Sequence, residues 1–206
     1  YRCGTLDSPG VYNMNQSIIP ATICINITNQ NVTLNCAGYS ITKTTVAKPG
    51  IYSNQINTTI KNCNVTMAYN AGAVGISLFN ANNSYVFNNT LNSQTKGLYL
   101  SQTFNTLITD NIANTNTRGI EFSSNNTLQN ITSNYNNYGI YFDSSSNNLL
   151  VNITSNYNNF DGIYFVTSSS NNTLQNIISN SNYLGIEFSS SSNNTLQNIT
   201  SYYNTY

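Results

Sequence analysis

The sequence predicts an all-β fold, a right-handed parallel β-helix of about eight coils, each of about 20–26 residues with three short strands, beneath an N-terminal cap. Three columns of recurring residues carry this expectation. Gly followed by an apolar residue, any residue, and then Leu or Phe recurs at Gly75, Gly97, Gly119, Gly139, Gly162 and Gly185, in steps of 22, 22, 20, 23 and 23 residues. A second column reads Leu34, Ile60, Val86, Leu107, Leu128, Leu150, Leu174 and Leu196, each within an Asn/Thr-rich tetrapeptide. A third is Asn31, Asn57, Asn83, Asn125, Asn147, Asn171 and Asn193, interrupted at Phe104.

Residues 1–30 do not follow the period, hold two of the three prolines and two cysteines, and read as the cap that an open-ended solenoid needs. Residues 31–206 read as the β-helix, with an incomplete last coil. Within one unit, strands are expected around Leu128, around Ile131 and from Ile140 to Phe142. In GIYF the Ile and Phe point one way and the Tyr the other, which is the period of a strand. Clusters of Asn, Ser and Gly between these runs are bends. A leucine-rich repeat has a similar period, but these units offer no helical run.

Strands of successive coils lie roughly 4.8 Å apart, so identical positions stack. Ile120, Ile140, Ile163 and Ile186 form one internal column and Phe122, Phe142, Phe165 and Phe188 another, filling the axis. Eight coils make a rod about 38 Å long. Asn suits a bend because it tolerates left-handed backbone and can bond to its own turn and to the next coil. The Asn31 column is therefore expected to be an internal ladder.

The composition fits such a rod. Of 206 residues, 39% are hydrophobic and only 6% charged, with zero formal net charge. Nothing neutralises a run of phosphates, so nucleic-acid binding is not expected. Polarity comes from 42 Asn and 50 Ser plus Thr. Regularly spaced Ile, Leu and Phe argue against disorder. No apolar run is long enough to span a bilayer.

Cys3, Cys24, Cys36 and Cys63 lie in the first third, with no C-x-x-C pair and no His in the chain. Two disulfides in an oxidising compartment are expected rather than a zinc site. Cys36 and Cys63 follow the column residues Leu34 and Ile60 by two and three places, which favours Cys36–Cys63 and Cys3–Cys24 among the three possible pairings. A start at Tyr1 without an apolar leader suits a processed secreted chain.

The segments CGTLDSPGVYNMNQSI, NVTLNCAGYSIT, TTIKNCNVT and NNTLQNITSNYNNYGIYF resemble secreted right-handed parallel β-helix repeat proteins of archaeal and bacterial cell surfaces, the NosD-like group. The resemblance spans nearly the whole chain and implies the fold and a place outside the cell. It does not bring copper chemistry with it, because without His and with only Met14 and Met67 the usual copper ligands are scarce.

Chemistry is sparse. The carboxylates are Asp7, Asp110, Glu121, Asp143, Asp161 and Glu187. Glu121 and Asp143, one coil apart, are the best candidate catalytic pair, at a separation of roughly 8 Å suited to an inverting glycosidase. Against this, no His, Arg or Lys stands in their column to complete a site, and two solvated surface charges that keep an Asn-rich rod soluble explain them better. No metal or cofactor is expected. The outward position of the Gly-started strand reads Tyr52, Ser77, Tyr99, Glu121, Tyr141, Tyr164 and Glu187, so Tyr99, Tyr141 and Tyr164 are candidate glycan or partner contacts. Of thirteen N-x-S/T sequons, those at Asn130, Asn152 and Asn198 recur in phase at a bend and are candidate glycosylation sites.

Adding the repeat to Gly185 puts the next Gly beyond Tyr206, so either the native polypeptide continues with further coils or another subunit supplies the missing strand, stacking head to tail into a homopolymer. The first functional expectation is an extracellular structural rod in a cell-surface filament, sheath or surface layer. A glycan-binding or adhesive module using the Tyr column comes second, and a polysaccharide-cleaving enzyme third.

Overall fold

In the computed structural model, which describes residues 3–19, 23–43, 48–68 and 72–206, the chain is a parallel β-solenoid with no helix among the described residues. Every strand pairs in parallel with the equivalent strand of the coil above or below. Three faces result. The Gly face stacks nine strands, from Gly4–Leu6 and Ile25–Ile27 through Tyr138–Asp143 and Asp161–Val166 to Leu184–Phe188. The Leu face begins at Gly10–Asn13 and Val32–Asn35, and the Ile face at Ser40–Lys43 and Asn64–Met67. From Thr127–Thr132 onward these last two faces are halves of one six-residue strand, folded where Asn130 takes φ 53°.

The registers follow the repeat. Ile120, Ile140, Ile163 and Ile186 lie opposite one another, as do Phe122, Phe142, Phe165 and Phe188. The Phe rings follow one another along the axis at centroid distances of 4.6, 3.9 and 4.6 Å, the first pair edge-on and the other two stacked. Because like lies over like, the core is one continuous cluster from Leu6 to Ile177. The disulfides Cys3–Cys24 and Cys36–Cys63 each join one coil to the next, across 21 and 27 residues. Closing loops of this length stabilises by about 3–4 kcal/mol each in the chain-entropy account.

Three expectations change. First, the coil at residues 104–110 is shifted by one. Ile108, not Leu107, lies between Val86 and Leu128, and Leu107 is 37% exposed. Asn105, not Phe104, takes the left-handed bend at φ 56°. Two adjacent apolar residues allow either phase, and the left-handed position selects the Asn. The Asn column is thereby unbroken.

Second, that column is exposed rather than internal. The buried ladder is the next residue, Asn126, Asn148 and Asn172. Each Oδ1 accepts the backbone N–H of the ladder residue one coil earlier: Asn148 from Asn126 at 2.8 Å, Asn172 from Asn148 at 2.9 Å, Asn194 from Asn172 at 2.8 Å. A second buried ladder, Asn116, Asn136, Asn158 and Asn182, works the same way at the corner before the Gly face. The first Asn of each NN pair makes the bend, and the second satisfies the buried backbone that the bend leaves open.

Third, the stack starts before residue 31. Gly4–Leu6 pairs with Ile25–Ile27 and Gly10–Asn13 with Val32–Asn35, so residues expected only to cap already belong to the rungs. Their side chains lack the Asn-rich repeat, but pairing needs only backbone N–H and C=O groups.

The Gly column is required by space. A Cβ on Gly139 would overlap Ser155 Oγ and crowd Gly162 O and Asn158 Nδ2. Ser155 Oγ donates to Gly162 O at 2.7 Å and accepts from Asn158 Nδ2 at 3.1 Å. Gly139→Ala is therefore expected to cost about 1–3 kcal/mol, read as a lower denaturation midpoint at unchanged m-value.

Candidate functional site

The side chains that could do chemistry gather on the Gly face, at the residue before each Gly and the residue two after it. The preceding residues read Lys96, Arg118, Tyr138, Asp161 and Leu184. The later ones are Tyr99, Glu121, Tyr141, Tyr164 and Glu187, in register with one another. The two sets stand three residues apart, which strict alternation would place on opposite faces, yet their side chains meet on one surface, as Lys96 does with Tyr99 and Arg118 with Glu121.

The two columns interlock along a diagonal, each preceding residue meeting the later residue one coil on. Lys96 Nζ lies 2.8 Å from Glu121 Oε1. The Arg118 guanidinium sits 3.8 Å over the Tyr141 ring. Tyr138 stacks on Tyr164 at 5.6 Å. Asp161 has the Glu187 carboxyl as its electrostatic neighbour. Within a strand the same columns meet again, with Lys96 3.6 Å over Tyr99, Arg118 NH1 2.5 Å from Glu121 Oε2, and Tyr138 edge-on to Tyr141 at 5.4 Å. The result is one continuous wall from Lys96 to Glu187.

Burial has electrostatic consequences along this wall. It works against the Arg118 charge, but the hydrogen bond and charge of Glu121, with Tyr141 and Asp143, outweigh it and hold the guanidinium above its ordinary value. Burial raises the Tyr141 phenol, so it remains a neutral hydrogen-bonding group. Asp161 is pushed up to about 6, first by burial and then by the charge and hydrogen bond of Glu187. A proton on Asp161 removes its repulsion with the Glu187 carboxylate.

A stability prediction follows. The folded Asp161 holds its proton up to about pH 6, whereas the unfolded side chain releases it near 3.8. The folded state therefore binds the extra proton between these values, and stability falls as pH rises through that window. Asp161→Asn is expected to flatten this slope and to stabilise at pH 8 by about 1–2 kcal/mol, roughly 2–6 °C in Tm. Melting curves at pH 4 and 8 check it, and an unchanged slope would mean that Asp161 is not held protonated in the folded state.

The expected residues lie as follows. Glu121 and Asp143 line one cleft of about 190 Å³ together with Tyr99, Gln102, Phe122 and Ser123. Glu121 is doubly ion-paired, so bases do stand beside it, one column away. Tyr141 is not freely exposed. It is 9% accessible under Arg118 and Tyr138, while Tyr99 and Tyr164 are half-buried. Asn130, Asn152 and Asn198 are exposed and left-handed. Their amides form an external ladder with Asn176, in which Asn152 Nδ2 donates to Asn130 Oδ1 at 3.1 Å and Asn198 Nδ2 to Asn176 Oδ1 at 2.7 Å.

Sequence reasoning passed over Lys96, Arg118 and the Asp161–Glu187 pair. The signal was present, since all but Glu187 immediately precede a repeat Gly. Reading one column at a time hid the diagonal.

The family model described as periplasmic copper-binding protein (NosD) matches residues 10–198. The chain belongs to the NosD family. Among solved structures, this NosD-family chain is similar to the periplasmic alginate epimerase AlgG, with a TM-score of 0.76 at 17% identity over 94% of this chain and 51% of that one. The A-module of the Azotobacter vinelandii mannuronan C-5 epimerase AlgE6 gives 0.61 at 14% identity, over 93% and 69%. The Dettilon tailspike protein gp208 gives 0.60 at 12% identity, over 94% and 51%. At these identities the likeness is one of fold, and the chain spans about half the length of AlgG. No curated protein matches.

The copper in the family's description does not fit the donors present. The chain has no His, its four cysteines are bonded in pairs, and Met14 and Met67 are 3% and 1% exposed within the core. Among the described residues no soft or imidazole donor set faces a common point, and no step through copper is derived. The disulfides and the periplasmic family are those of a chain outside the cytoplasm.

Proposed function

We propose that this chain is a polysaccharide-binding β-helix of the cell exterior, and that the Gly face holds an extended glycan along the solenoid axis. The observation that carries this is the interlocked wall of Tyr99, Tyr138, Tyr141 and Tyr164 with Lys96, Arg118 and Glu121 beside the 190 Å³ cleft. The half-buried Tyr99 and Tyr164 keep part of their ring surface open to sugar rings, and the charged groups between them donate to and accept from hydroxyls. The wall repeats with the coil, so a chain molecule can be held at several successive points. Alginate epimerases share the fold, which supports a glycan ligand.

On a glycan array, Tyr164→Ala and Tyr99→Ala are each expected to lower binding about tenfold, the equivalent of one stacking contact. Thr173→Ala on the Leu face is expected to leave binding unchanged. An array with no signal for the unmodified chain would end the reading.

A second reading is polysaccharide cleavage, favoured by Glu121 and Asp143 lining one cleft. If Glu121→Gln with Asp143→Asn leaves any detected hydrolysis unchanged, that pair has no catalytic role. The filament role and head-to-tail assembly draw no support from the fold's neighbours and rank below both.

A further inference from the structure

We propose that the corner between the Ile face and the Gly face carries a second, separate site, a slot for one uncharged pyranose ring between Tyr157 and Tyr203, over Ser181. It uses none of the Gly-face residues, so it can hold where the reading above fails.

At this corner the left-handed column reads Ser93, Thr115, Tyr135, Tyr157, Ser181 and Tyr203, with φ between 57° and 61°. The three tyrosines are the only aromatic residues among the described non-Gly positions with positive φ. Left-handed backbone costs a bulky residue about 1–2 kcal/mol, and Asn, Ser or Thr fill most equivalent positions at the other corners. Burial does not offset that cost, since Tyr135 is 58% exposed, Tyr157 53% and Tyr203 90%. Strain borne by exposed aromatic groups points to use of their faces.

The geometry says what the faces are for. Tyr135 and Tyr157 lie parallel, 5.2 Å apart with an interplanar angle of 7°. One coil on, the column holds only Ser181, and Tyr203 resumes it. The register is continuous, with Tyr157 N donating to Asn180 O at 3.1 Å and Ser181 N to Tyr202 O at 3.0 Å. Two coil steps separate Tyr157 from Tyr203 by about 10 Å, which leaves room for one ring about 5 Å from each, within the stacking range of 4.5–7 Å. No charged side chain belongs to this column among the described residues, whereas the half-buried Asn180 amide precedes Ser181 in the slot's own coil and the exposed Asn159 amide lies one coil earlier, beside Tyr157. An apolar ring face with a hydroxyl rim matches phenol faces flanked by amides. A charged ring would find no counter-charge.

The test is NMR of the full chain with ring-labelled tyrosines, titrated with cellohexaose, mannohexaose and galactohexaose. Saturable shifts are expected at Tyr157 and Tyr203. Ser181→Tyr, which fills the slot, is expected to weaken them at least tenfold. Tyr157→Ala should do the same by removing the floor if the first variant folds poorly. Tyr164→Ala, on the Gly face, should leave these shifts intact, which separates this site from the other. Absence of saturable shifts with all three sugars overturns the proposal. So do shifts that appear on raising protein concentration alone, because a second copy's tyrosine would then be the occupant.

Discussion

Replacing Phe165 with alanine is expected to destabilise the chain by about 3–5 kcal/mol, the range for deleting a fully buried aromatic ring. Phe165 is 0% exposed and lies between Phe142 at 3.9 Å and Phe188 at 4.6 Å. In most cores neighbours relax into part of the vacated space. Here the rungs on either side are held apart by parallel backbone ladders, Phe142 paired opposite Phe165 and Phe165 opposite Phe188, so little collapse is possible. Because a solenoid's stability is a sum of neighbour terms, the loss should also uncouple the last coils from the rest. Equilibrium unfolding in urea, followed by circular dichroism, is expected to show a lower midpoint and a broadened or split transition. Phe188→Ala is the internal comparison. Phe188 is already 37% exposed and should cost about half as much. A Phe165→Ala midpoint within 1 kcal/mol of the unmodified chain, on the usual ~1 kcal/mol scale of an average substitution, would mean that the axis is not tightly packed.

Asn172→Asp is expected to cost about 3–5 kcal/mol at neutral pH, although it changes only one atom. Asn172 is 0% exposed. Its Oδ1 accepts from Asn148 N and Nδ2 at 2.9 and 3.0 Å, and its Nδ2 donates to Ser145 O and Asn194 Oδ1 at 3.0 and 3.1 Å. A carboxylate turns the second pair of contacts into oxygen against oxygen and buries a charge with no cation near it. Protonation restores one donor, so the deficit should shrink in acid. The neighbouring change Asn171→Asp is expected to stay within about 0.5 kcal/mol, because Asn171 is exposed and Asp also tolerates its φ of 58°. Chemical denaturation of the two variants at pH 7 and pH 4 checks both expectations. Equal costs would show that the buried ladder is assigned to the wrong residue of the NN pair.

That pair shows where sequence reasoning stops. The NN dipeptides mark the corner, and their spacing assigns them to successive coils. Which Asn turns the chain and which faces inward depends on backbone handedness at one residue, and either order gives the same spacing. Leu107 and Ile108 pose the same ambiguity, settled when Asn105 takes the left-handed position. The candidate site was legible in part. Tyr99, Glu121, Tyr141 and Tyr164 align in one outward column from the period alone. The partners Lys96, Arg118 and Asp161 occupy a different column, and only the stagger of one coil over the next brings them to Glu121, Tyr141 and Glu187.

The sequence by itself determined the solenoid, its three faces and the stacked core columns except at Ile108, where it pointed to Leu107. A repeat of some 22 residues makes each residue the neighbour of its own counterpart, so contacts in space become a regular interval along the chain. The tertiary structure alone decided the contacts that cross columns and the burial of each bend residue. Those depend on side-chain reach and on single backbone torsions, which vary without altering the interval.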